Sequence, residues 1–239
     1  MHRPLAFSCL ALMVTGWGVS PILTGCAAAP PPAVPVIVAA APEPEKVDTG
    51  PTTMESDIGG LNEEAMDKAF ASLDIHSCIE QESDKLDQLG GELKLKMRID
   101  KRGSARWVYL SHSTLGDRDA EKCLLDLVRA RSWPRPLGGE GLAEKQFVID
   151  PRAEPPSLDE HSTVVPIAKA RAEAGKCKRG VPGSFFATVY VRADGHVVNA
   201  GVSVPNEKGE DVADCVVEAL RKVRFKGAAK ASKLSFEIR

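Results

Sequence analysis

An internal repeat constrains this chain more than any other feature. Gly103 and Cys123 lie twenty residues apart, as do Gly195 and Cys215, at a single offset of 92 with no gap. Between these points Ala120, Cys123, Leu124, Leu127 and Val128 fall at i, i+3, i+4, i+7 and i+8. Val212, Cys215, Val216, Ala219 and Leu220 repeat that spacing, so each copy predicts one amphipathic helix. Each helix runs into a basic turn and then an aromatic residue: Arg129, Arg131 and Trp133 in the first copy, Arg221, Arg224 and Phe225 in the second. Cations at that end complement the helix dipole.

Strands flank each helix. Leu93, Leu95, Met97 and Ile99 alternate with Glu92, Lys94, Lys96 and Arg98, the pattern of a half-buried strand; Ala187, Val189, Val191 and Ala193 are their counterparts. Asp100-Lys101-Arg102-Gly103 and Asp194-Gly195 read as hairpin turns into a second strand, where Val108 and Leu110 face as Ala200 and Val202 do. Closing strands are expected at Phe147 and Ile149 and at Leu234, Phe236 and Ile238. A leading helix with Asn62 as N-cap carries Met66, Phe70 and Leu73, and a shorter one runs from Ile167 to Lys176. The fold class is therefore α+β, with two tandem small domains at 58–151 and 164–239. Each is ordered helix-strand-strand-helix-strand over a three-stranded antiparallel sheet. A Pro-containing linker fills 152–163.

The N-terminus predicts location. A short basic start is followed by an apolar run from Leu5 to Val19, and no acid occurs before Glu43, so residues 1–25 read as a secretory signal. Leu23-Thr24-Gly25-Cys26 resembles a bacterial lipobox, which implies cleavage before Cys26 and lipidation of its thiol. An ordinary signal with an unrelated Cys and an uncleaved anchor helix are the competing readings; Gly16, Gly18, Pro21 and Gly25 weaken the helix. Residue 27 is Ala rather than Asp, which in the enterobacterial sorting pattern implies the outer membrane. Residues 27 to 57 hold seven Pro and seven Ala, so 26–57 reads as the lipidated Cys and a disordered tether. The 31 Lys plus Arg against 33 Asp plus Glu, and only 5% aromatic residues, argue against a nucleic-acid partner.

The folded part resembles the TonB C-terminal domain family, most closely its AgmX/PglI branch. The resemblance rests on Cys78, Gly91, Ser113-Thr114-Leu115-Gly116-Asp117, Cys123, Trp133-Pro134-Arg135-Pro136 and Gly138-Gly139 in the first copy. The second copy keeps Cys177, Gly183, Gly195 and Cys215 but replaces the Pro phrase with Phe225-Lys226-Gly227. The resemblance implies binding of envelope proteins or extended peptides by strand addition. It places the receptor edge on the first copy's closing strand, at Lys145, Gln146, Phe147, Val148 and Ile149. Family members span the inner membrane beside an ion-driven motor; a lipid anchor instead implies a chain that receives or organises force. With Cys9 in the signal and Cys26 lipidated, four Cys can pair in three ways. The repeat selects Cys78 with Cys123 and Cys177 with Cys215, in an oxidising compartment.

Reaction chemistry is not expected. Ser111-His112-Ser113 near Asp117 reads as a strand end, and Gly138-Gly139-Glu140-Gly141 as a turn rather than a phosphate cradle. No Cys pair has zinc-ligand spacing, so no metal or cofactor is expected. Trp107 and Tyr109 lie opposite Val108 and Leu110 and read either as an exposed aromatic pair for a partner or as residues that cover the sheet's back or meet the second copy. Residues 58 to 151 carry 14 basic and 17 acidic side chains, residues 162 to 239 carry 14 and 8. The expectation is a non-enzymatic, lipid-anchored envelope scaffold for a motility or trans-envelope complex. Its rivals are a peptidoglycan-binding lipoprotein and, further off, a hydrolase.

Overall fold

The structure is a computed structural model that describes residues 47–55, 60–83, 86–156, 158–227 and 230–239. Its first half runs β1 (Val47–Glu55), α1 (Glu63–Ala71), α2 (Ile75–Ser83), β2 (Gly91–Ile99), β3 (Ala105–Ser113), α3 (Arg118–Ala130) and β4 (Gly141–Ile149). The second half runs α4 (Glu160–Gly175), β5 (Phe185–Val191), β6 (Val197–Ser203), α5 (Glu207–Arg221) and β7 (Ser232–Ile238). The fold is α+β with two antiparallel sheets, ordered β1-β4-β2-β3 and β6-β5-β7.

Alternation does what it predicts in β2, which buries Leu93, Leu95, Met97 and Ile99 and turns Lys94, Lys96 and Arg98 outward. The apolar stripe of α3 covers that inner face with Leu124, Leu125 and Val128. Asn62 caps α1, its side chain accepting from the Ala65 amide at 2.8 Å. Met66 and Phe70 on that helix then reach the core, where Phe70 lies 4.6 Å from Trp133 and 6.1 Å from Phe147, centroid to centroid.

The repeat is visible in the hairpin turns. Gly103 and Gly195 adopt φ of 86° and 84°, and a side chain at either would strike the carbonyl of Trp133 or Phe225. Each glycine carbonyl accepts the amide of that same aromatic residue, Trp133 at 2.7 Å and Phe225 at 2.9 Å. The basic turn after each helix is thus latched to the hairpin in the same way in both copies. Disulfides join Cys78 to Cys123 and Cys177 to Cys215, tying α2 to α3 and the end of α4 to α5.

Three expectations need correction. Residues 47–55, read as the end of a disordered tether, form β1, so the first sheet has four strands rather than three. This segment carries Val47, Thr49, Thr52 and Thr53, and β-branched residues suit a strand once an edge is available to pair with. The first copy's leading helix is two helices, α1 and α2, with Cys78 in the second. Finally α4 begins at Glu160, within the expected linker, and continues through Pro166. Asp159 caps it by accepting from the Ser162 amide at 2.9 Å, and burial of Thr163, Ala170 and Ala174 holds the helix on both sides of the proline.

Candidate functional site

The edge that the resemblance assigns to partners is β4, and the chain itself covers it. Strand β1 pairs antiparallel with β4 from Val47 opposite Ile149 to Glu55 opposite Leu142, with a register shift between Thr49 and Thr52. On its other side β4 pairs with β2 from Gly141 to Ile149, so it has no free edge. Phe147 and Ile149 are buried in the core, while Gln146 and Val148 sit half-buried on the opposite face.

Lys145 is the surprise of this strand. Its side chain is only 4% exposed, and its ammonium donates to the Gly50 carbonyl, at the irregularity in β1, and to Asp67 of α1 at 3.1 Å. Thr52, also buried, donates its hydroxyl to the same Asp67 carboxylate. The Thr52 hydroxyl, with the Lys145 ammonium, holds the Asp67 carboxyl below its usual range. Lys145, Asp67 and Thr52 therefore form a clasp that fixes β1 by one bond to its Thr52 side chain and one to its Gly50 backbone.

The outer face of the first sheet carries aligned rows: Trp107 beside Arg98 beside Leu142, and Tyr109 beside Lys96 beside Glu144. They line a groove of about 380 Å³. Lys96 pairs with Glu144 at 3.1 Å, and Arg98 pairs with Glu140. Trp107 and Tyr109 touch at 5.6 Å between centroids, but they are not a freely exposed pair. Tyr109 is buried in the second copy's core cluster and Trp107 is half-buried against it. His112 stacks on Phe186 at 5.3 Å, and its neighbours Ser111 and Ser113 donate to the Lys94 carbonyl and to Glu121, respectively.

The two copies share a polar seam that the sequence did not suggest. Glu121 of α3 is fully buried; Ser113 Oγ donates to one oxygen at 2.5 Å and the Val202 amide to the other at 3.1 Å. Burial pushes this carboxyl up to about 8. Arg118 donates to Glu210 at 2.6 Å and Asp214 at 2.7 Å, both on α5. Asp117 caps α3 through the Ala120 amide at 2.9 Å and accepts from Asn199 on β6. From the second copy, the Tyr190 hydroxyl donates to the Gln88 carbonyl at 2.9 Å and Lys233 donates to the Gly90 carbonyl at 2.6 Å.

Among the described residues, Glu82, Asp117 and Asp119 converge closely enough to meet a cation, with one oxygen from each within 4.8 Å of the others. Asp117 has both carboxylate oxygens engaged in the cap and in the Asn199 contact, so the structure reads this group as a helix start. Cys26, the expected lipidation site, lies outside the described residues. Among the described residues no helix is long and apolar enough to cross a membrane. No family model, curated protein or solved structure matches this chain.

Proposed function

We propose that this chain is a lipid-anchored scaffold of the bacterial cell envelope that gathers partner proteins through TonB-like copies, in a gliding-motility or trans-envelope complex. The anchor is Cys26 and the location is the outer membrane, facing the periplasm. Two disulfides, one within each copy, support an oxidising compartment.

One observation carries the partner-binding reading: the outer side of β4 accepts an added antiparallel strand. In β1 that strand is supplied by the chain itself, and an extended segment of a partner would present the same main-chain donors and acceptors. The groove beside Trp107, with paired charges at Lys96 and Glu144, gives side-chain selectivity to whatever lies along that face. Partners in this reading displace β1, since β4 cannot hold two strands on one side.

A photo-crosslinking side chain at position 146, in cells, tests the reading. Crosslinks to envelope proteins that increase when β1 is weakened support it; an unchanged pattern contradicts it. Fractionation of Cys26→Ser tests the anchor separately, with soluble protein or unprocessed precursor as the expected result and normal membrane retention of a cleaved mutant as the contrary one.

A further inference from the structure

Helix α4 is apolar on both of its sides. Thr163, Ala170 and Ala174 face inward, yet Val164 and Val165 are 60% and 77% exposed, and Ala168 and Ala172 are exposed as well. At about 100° per residue, His161, Val165, Ala168, Ala172 and Lys176 follow one another along a single outward stripe, with Lys169 beside it. Lys169 and Lys176 also line a cleft of about 380 Å³ with Lys222, at the end of α5, and the Cys177–Cys215 bridge. The acids in that cleft are Glu173 and Glu218, and Glu173 is already paired with Lys176 at 2.6 Å. Beyond α5 the chain stays basic through Arg224 and Lys226, in a copy where 14 basic residues face 8 acidic ones.

Exposed aliphatic side chains bordered by lysines fit a surface that offers hydrocarbon and negative charge together. An anionic bilayer offers both, whereas a cell-wall polymer offers charge without hydrocarbon. We propose that the outer face of α4, with the neighbouring end of α5, docks on an anionic membrane surface. The valines enter the interface and Lys169, Lys176 and Lys222 meet the lipid headgroups. This rests on the lipid-anchored reading, which puts a bilayer within reach of the second copy.

The test uses the mature lipidated chain with Val165→Trp, reconstituted in vesicles whose acyl chains carry bromine, and reads fluorescence quenching against the parent, which has Trp107 and Trp133 as background. The added indole should be quenched roughly twofold more in vesicles of phosphatidylcholine and phosphatidylglycerol than in phosphatidylcholine alone, and high salt should remove the difference. Lys169→Glu combined with Lys176→Glu and Lys222→Glu should abolish it in a chain whose circular dichroism matches the parent. No quenching beyond the parent, or equal quenching in both vesicle types, overturns the proposal. So does sedimentation with purified peptidoglycan that the three glutamates abolish while quenching is absent, which assigns the patch to the cell wall. Fractionation of Cys26→Ser reads the anchor and quenching at position 165 reads α4, so the two ideas fail separately.

Discussion

At the scale of single residues, the seam between the copies is held by groups that are costly to bury unless they are paired. Glu121 has its carboxyl pushed up to about 8 by burial, so the folded chain keeps a proton that the unfolded chain releases near its ordinary value of 4.5. Its contribution to stability is fully present below that ordinary value and is lost as pH rises through about 8. Burial raises Asp117 in the same direction, whereas Asp214 is lowered, first by its bond from Arg118. Denaturant unfolding of the parent should therefore weaken between about pH 5 and pH 8. Glu121→Gln, which is neutral and nearly isosteric, should flatten that slope; an unchanged slope would show that Glu121 does not carry it. Arg118 faces Glu210, which is nearly buried, and Asp214, which is half open to solvent. Arg118→Ala leaves the Glu210 charge unpaired and should cost roughly 3 kcal/mol, read as a shift of the urea midpoint. None of this was legible beforehand. Arg118 and Glu121 lie one helical turn apart on α3 and look like any exposed pair until β6 and α5 are laid over them.

At the scale of elements, alternation and helical spacing were enough to locate β2, α3 and α5, because each has one apolar face and one charged face. The cap at Asn62 was equally readable. The failures share a cause, which is that proline and small residues report local stiffness and not what lies alongside. Gly50 and Pro51 made 47–55 look like more tether, yet both fall at the register shift, where the β1 ladder is already interrupted. The second copy's leading helix was expected only from Ile167, just past Pro166, although the cap pair Asp159 and Ser162 lay upstream of it. Because β4 lies between two strands, a proline within it would damage the sheet interior rather than probe an edge. Thr52→Pro is cleaner, since it removes the hydroxyl that Asp67 accepts and lies in an edge strand. Hydrogen exchange should quicken across β1 in Thr52→Pro while β2, β5 and β7 keep the parent's protection. Uniform loss of protection would mean that β1 is integral to the first sheet rather than a removable cover.

At the scale of the whole molecule, both copies belong to one compact unit, with the Val204 amide, just after β6, donating to the Leu110 carbonyl of β3 at 2.9 Å. The bridges span 45 and 38 residues, and closing loops of that size contributes about 4 kcal/mol each in the chain-entropy model. Replacing Cys78 and Cys123 together by Ala should lower the thermal midpoint by several degrees, with the seam passing part of that loss to the second copy. Independent melting of the copies would contradict the shared seam. In the proposed function β4 captures an extended segment and β1 merely occupies the place. The most direct measurement is fluorescence anisotropy of a labelled peptide with the sequence of Val47–Glu55, titrated with the parent chain and with Thr52→Pro. Saturable binding to Thr52→Pro that unlabelled peptide competes away is expected, with little binding to the parent, whose own strand fills the edge. Absence of binding to both chains, with β1 of Thr52→Pro shown by hydrogen exchange to be released, would contradict it.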